Sequence, residues 1–242
     1  MTVKSKPRTE TKRAVQNKQW HCHLLDRDRP KIAMLLFVGL GNPGVSYAKN
    51  RHNVGFITID RLAVRHGFSI WKAKLGALIA NGQIGTEKVV LVKPQKFMNK
   101  SGLPVADIAR FYKVPTDDIF VFHDEIDLAA GKVRLKQGGG HGGHNGIRDL
   151  NRHLSAEYWR VRIGVGRPPA RIDVKNWVLM DFDSDELEGW LADLVTAIAN
   201  EVDRLVSHDT EGFQSRVAFL APAPKGETTR NKTRTQDNQN GI

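Results

Sequence analysis

Apolar residues recur along this chain in two rhythms. Short segments at Leu35–Gly39, Ala77–Ile84, 89–92, 119–123, 132–136 and 160–164 read as strands, several of them near-continuous apolar runs as expected where both faces are covered. Between and after them the spacing changes to threes and fours, which predicts helices over 54–66, 102–112, 144–154 and 185–206. The last is the plainest, with Leu187, Trp190, Leu191, Leu194, Ile198, Val202, Leu205 and Val206 on one stripe that reads as core. Asp183 or Ser184 is placed to cap it, and Asp185 and Glu186 suit its first turn. Ser101 is similarly placed to cap the helix that starts near Gly102. With no internal repeat and no mid-chain linker, the alternation predicts one α/β domain. Its expected sheet is twisted, mostly parallel (mixed) and flanked by helices.

Composition narrows the class. The chain has 242 residues, 40% of them apolar, which is enough for a real core. No apolar run approaches the ~18 residues of a membrane span, and no apolar segment of the secretory type follows the basic N-terminal residues. A single cysteine, Cys22, excludes an internal disulfide and fits a reducing compartment. The net charge of +11 implies an anionic partner, but much of it sits at the ends, with nine Lys/Arg against three acids in residues 1–33. Residues 1–33 read as a basic, disordered leader and 221–242 as a disordered polar tail, leaving a domain at 34–220. Met34, just before the first strand, is one candidate for the natural start, beside a genuine leader.

The segment from Leu35 to Phe56, LLFVGLGNPGVSYAKNRHNVGF, holds the first candidate chemistry. Gly39, Gly41 and Gly44 match the G-x-G-x-x-G spacing of a dinucleotide loop. The context does not fit: Pro43 and Gly44 break the backbone before any helix, and Asp60 falls inside the helix, not at a strand end where a ribose ligand belongs. His52 is the best general base, since imidazole titrates near neutrality. From its own residues alone, a surface histidine beside Arg51 fits equally well.

Three further clusters follow strands, where open α/β sheets place their sites. They are KPQKFMN at 93–99, HDEID at 123–127 and KQGGGHGGHNG at 136–146. Asp124 could hold an imidazole in the required tautomer. No G-x-S-x-G elbow supplies a nucleophile, so a base with an orienting acid points to direct attack by water. A metal reading of His123, Asp124, Asp127, His141 and His144 lacks any strong ligand spacing, as does His21-Cys22-His23. The glycines from Gly138 to Gly146 let backbone lie against a ligand, ahead of a helix N-terminus.

Taken together, VGLGNPG, YAKNRHNVGF, KPQKFMNKSG, HDEIDL, KQGGGHGGHNGIRDL and RVRIGVGRP resemble the bacterial-type peptidyl-tRNA hydrolases, in that family's order, over about Met34 to Leu220. The resemblance implies a phosphorylase/hydrolase-like α/β domain that cleaves the ester between a peptide and the 3′ end of tRNA, with no metal or organic cofactor. It implies a monomer in the cytoplasm, off membranes. His52 would activate water and Asp124 would orient it. Asn42, Asn99 and Asn145 would line the pocket, with Tyr47, Phe97, Met98 and His144 as further substrate contacts. Arg134, Lys136 and Arg162 correspond to basic positions for the tRNA acceptor arm. The basic leader is not a family feature. A non-catalytic RNA-binding protein on the same scaffold, similar to plastid splicing factors derived from this family, is the competing reading.

Overall fold

In the computed structural model, which describes residues 34–224, the first apolar run becomes β1 (Leu35–Gly39), buried at every position. Its odd residues, Leu35 and Phe37, join one core, while Leu36 and Val38 join another on the opposite face. β4 (Glu87–Pro94), β5 (Ile119–Glu125) and β7 (Trp159–Gly164) run parallel with it. β2 (Lys72–Lys74), β3 (Ala77–Ile84) and β6 (Val133–Gln137) pair antiparallel with their neighbours, giving the order β2-β3-β4-β1-β5-β7-β6. The expected single mixed sheet, parallel at its centre, is thus what forms.

Helices cover both faces. α1 (Val54–Arg65), α6 (Trp190–Glu201), α7 (Asp203–Val206) and α8 (Thr210–Leu220) close the core that holds Phe37, Phe120 and Phe122. α2 (Gly102–Tyr112) and α3 (Asn145–His153) close the other, around Val38, Val121, Ile108 and Leu150. The stripe expected as one helix over 185–206 is three pieces. α5 (Ser184–Glu188) carries the capping box, Asp183 with Glu186, and then Gly189 takes φ −98° and ψ −116°, which no helix continues through. A second break falls at Val202. Ser101 does not cap α2, because it is itself αR and its hydroxyl donates back to the Met98 carbonyl (2.9 Å). The Gly102 amide donates instead to Asp149 Oδ2 of α3 (2.7 Å), tying the two helices together. β2, α8 and the short α4 (Val174–Leu179) were not legible as elements. The leader, the tail beyond 224 and His21-Cys22-His23 lie outside the described residues.

The glycines of the dinucleotide-like motif serve packing. A Cβ on Gly39 would sit 2.5 Å from the Gly55 carbonyl oxygen, and one on Gly41 would meet the Phe56 ring at 2.6 Å. Gly55 itself lies flush against the Phe122 carbonyl and the Leu40 backbone. The N-terminal turn of α1 therefore rests directly on β1 and β5. Asp60, the would-be ribose ligand, pairs with Lys93 Nζ (2.5 Å). Gly55→Ala should destabilise the protein by about 3 kcal/mol or more, because backbone atoms on both strands cannot yield. Urea unfolding would measure it, and a loss below about 1 kcal/mol would contradict this tight approach.

Candidate active site

The close rest of α1 on the sheet fixes the 3-10 turn Arg51–Asn53 beside the C-terminal end of β5. His52 Nδ1 lies 2.8 Å from Asp124 Oδ1, and both residues are buried. His144, the N-cap of α3, brings Nε2 to 2.9 Å from the same oxygen. Its Nδ1 accepts from the Gly146 and Ile147 amides (3.1 and 3.2 Å), so the proton is on Nε2 and points at Asp124. The one carboxylate oxygen thus receives two N–H groups. Burial alone would raise the Asp124 pKa, but the charge and hydrogen bonds of His52 and His144 outweigh it and hold the carboxyl well below its usual range. For His52, burial opposes protonation, and the Asp124 charge and hydrogen bond prevail, raising its pKa above 6.5. The Nε2 of His52 has no partner among the described residues. His123 is the contrast: burial, then the neighbouring His144, push it down to about 3, and it stays neutral with Nδ1 donating to the Asp124 carbonyl.

A cavity of about 500 Å³ opens over this pair. Asn42, Phe97, Met98, Asn99, His144 and Asn145 line it with His52 and Asp124, so eight of the predicted site residues converge. Asn42 is locked by a reciprocal pair with Asn53, N to Oδ1 and Nδ2 to O, each 2.9 Å. Its Oδ1 accepts from the Met98 amide (2.8 Å), which leaves Nδ2 for the cavity. Asn145 Oδ1 accepts from Arg148 (2.6 Å), leaving its amide nitrogen likewise. Tyr47 is outside the lining but meets Phe97 edge-on at the rim, ring centres 6.5 Å apart. Arg134, Lys136 and Arg162 do not reach the cavity. Arg134 and Lys136 are exposed on β6, the edge strand, and Arg162 stands opposite Arg134 on β7 with Nε bonded to Glu125 (2.9 Å).

Of the residues set out as possible metal ligands, Asp127 pairs with Arg167, and His141 accepts from the Gly143 amide. The donor atoms of His52, Asp124 and His144 do lie within 4.8 Å of one another. Each imidazole there already spends a nitrogen on the carboxylate, an arrangement that proton sharing explains in full.

Two parts of the site were missed in the sequence. Asp173, Val174, Lys175, Val178 and Leu179, in and before α4, form a wall of the cavity. They are held by Arg51, whose buried guanidinium stacks on Trp177 (3.9 Å), bonds the Asp181 carbonyl and pairs with Glu186 (2.5 Å). The signal was there in DVKNWVL, a capping Asp with Val174 and Val178 four apart, but the run is too short to weigh. The other is Arg160. β6 is antiparallel to β7, so the glycine run does not leave the sheet at its active edge as expected. It leaves at the opposite edge and recrosses to reach His144. Buried Arg160 holds it on the way, donating to the Gly139 and Gly140 carbonyls (both 2.5 Å).

The fold is an α/β sheet that carries a buried histidine–carboxylate pair beneath a cavity. The peptidyl-tRNA hydrolase family profile matches residues 36–226. The chain is 45% identical to a peptidyl-tRNA hydrolase of Ruegeria sp. (strain TM1040), covering 86% of this chain and 85% of that one. It is 49% identical to that of Rhodospirillum centenum, over 79% and 84%. The crystal structure of peptidyl-tRNA hydrolase from Acinetobacter baumannii superposes with TM-score 0.73 at 35% identity, over 81% of this chain and 100% of that one. The chain belongs to the peptidyl-tRNA hydrolase family, and these relatives give the RNA-binding-only alternative no support.

Arg160→Met should leave two loop carbonyls without donors and let the glycine run drift. A fall of about tenfold in kcat/KM on an N-acyl-aminoacyl-tRNA is expected, with far-UV circular dichroism unchanged. Activity equal to the parent's would show that the loop holds its course without this cation.

Proposed function

We propose that this chain hydrolyses the ester of peptidyl-tRNA by direct attack of water, with His52 as general base and Asp124 as its orienting carboxylate. The observation that carries the mechanism is the His52 Nδ1–Asp124 Oδ1 hydrogen bond, with the opposite ring nitrogen unpartnered at the cavity wall. Nδ1–H is fixed on the carboxylate, so the lone pair is on Nε2. Nε2 takes a proton from water as the oxygen adds to the ester carbonyl. The Asn42 and Asn145 amide nitrogens are placed to stabilise the oxyanion and the substrate's carbonyl groups. Collapse of the tetrahedral intermediate expels the tRNA ribose oxygen, which takes the proton back from the imidazolium. The products are free tRNA and the peptide acid.

Phe97, Met98 and Asn99 would bind the peptide, with Tyr47 packing Phe97 at the rim and His144 holding Asp124. Arg134, Lys136 and Arg162 form a cationic row at the sheet edge for acceptor-arm phosphates, contacts blind to base sequence. Among the described residues no helix is long and apolar enough to cross a membrane. We place the enzyme in the cytoplasm as a monomer, its domain at 34–220 flanked by polar segments.

Release of acetylated amino acid from N-acetyl-aminoacyl-tRNA tests the proposal. His52→Ala should lower the rate by roughly a hundredfold or more, and a chelator should leave the parent unaffected. A folded parent with no release would sink it. A second test follows from the raised His52 pKa. Activity needs the neutral imidazole, so kcat/KM should climb through an apparent pKa above 6.5. Asp124→Asn removes the charge that raises it while burial remains, so the acid limb should move to lower pH as kcat falls by roughly two to three orders. An unmoved limb would mean that another group sets it.

A further inference from the structure

Glu125 follows Asp124 and also lines the cavity. Its side chain is 16% exposed, much less than solvent-facing Asp173, which also lines the cavity. Oε2 accepts from Arg162 Nε (2.9 Å) and Oε1 from the Asp127 amide (3.1 Å). The guanidinium comes from β7, so one ion pair joins the cavity wall to the basic edge. Asp124 has its charge shared by two imidazole N–H groups, and Asp173 is in solvent as the cap of α4. Glu125 is therefore the sheltered wall carboxylate whose charge depends on a single cation.

That neutrality matters to what the cavity admits. The cleaved ester is one bond from the substrate's α-carbon, whose nitrogen is a neutral amide in peptidyl-tRNA and an ammonium in aminoacyl-tRNA. An uncompensated carboxylate in a partly desolvated wall would attract the ammonium and leave the amide unaffected. We infer that the Arg162–Glu125 pair is a specificity determinant, holding this wall neutral so that aminoacyl-tRNA gains no electrostatic foothold. The inference rests on the hydrolase function proposed above. Arg162 acts here through Glu125, in addition to any phosphate it meets.

The ratio of kcat/KM for N-acetyl-aminoacyl-tRNA to that for the same aminoacyl-tRNA isolates the effect, because a lost phosphate contact slows both alike. It should be measured where the α-amine is protonated and corrected for uncatalysed hydrolysis. Arg162→Gln should narrow the ratio by roughly tenfold, and Glu125→Gln, which leaves the cation alone, should widen it. The double variant should return to within about twofold of the parent. A ratio unmoved in Arg162→Gln, or a double variant no different from it, overturns the inference while cleavage of the acetylated substrate keeps the function intact. If Arg162→Gln does not fold, an unchanged ratio in Glu125→Gln overturns it alone. A parent that cleaves neither substrate overturns the function, and this inference with it.

Discussion

Asp124 Oδ1 is a buried anionic oxygen with two imidazole donors, and the site is arranged around keeping it so. An isolated carboxylate at that depth would take up a proton, and the orienting group would be lost. His52 and His144 prevent this from different elements: one lies on the turn before α1, the other at the start of α3. Each is positioned by backbone, and the two rings also pack against one another, centroids 4.8 Å apart. The turn is set by α1 resting on β1 and β5 through Gly39 and Gly55, and His144 is set by the α3 amides bonded to its Nδ1. The capping role also decides the chemistry, since a ring that accepts at Nδ1 can only donate at Nε2. His144 is therefore a donor to Asp124, and under the proposed mechanism proton transfer falls to His52.

Cations do the long-range holding. Arg51 and Arg160 are both nearly inaccessible, 5% and 3% exposed, yet neither is in the cavity. Each guanidinium spends its terminal nitrogens on partners that it thereby brings to a fixed place, while its Nε is buried without one. Arg51 draws the segment that carries α4 onto the His52 turn, helped by the Asn50–Asp181 hydrogen bond (2.6 Å). Arg160 fixes the glycine run where it begins to recross the sheet. The sides of the cavity contributed by loops and α4 are thus tied to the turn before α1 and to β7 by charge.

Much of this was legible in the sequence, and for identifiable reasons. Central strands show as unbroken apolar runs because both faces are covered, so β1, β4 and β5 could be read directly, while β7 alternates apolar residues with Arg160 and Arg162. The converging residues could be read because each cluster has chemistry that its neighbours do not share. What failed was anything decided by backbone geometry or by a distant partner. Gly189 breaks a stripe whose side-chain period continues through it. Ser101 has the right type and spacing for a cap, but Asp149, 47 residues on, takes the Gly102 amide. Arg51, Arg160 and Arg162 look alike in the sequence, and only packing separates two buried anchors from a half-buried ion pair.

The glycine motif near the N-terminus shows why local spacing misleads. In a dinucleotide loop, glycine makes room for a pyrophosphate over a helix N-terminus. Here the same spacing makes room for the helix itself: Gly39 and Gly41 are bare so that Gly55 and Phe56 can press against them. The two uses share the cause, a need for backbone to approach without a Cβ, and differ in what approaches. The residue that tells them apart is the one that follows. With α1 packed down on the sheet, the turn just before it carries His52, bonded to a carboxylate on the next strand. Close packing of helix on strand is thus the step that sets a glycine turn beside a histidine–carboxylate pair.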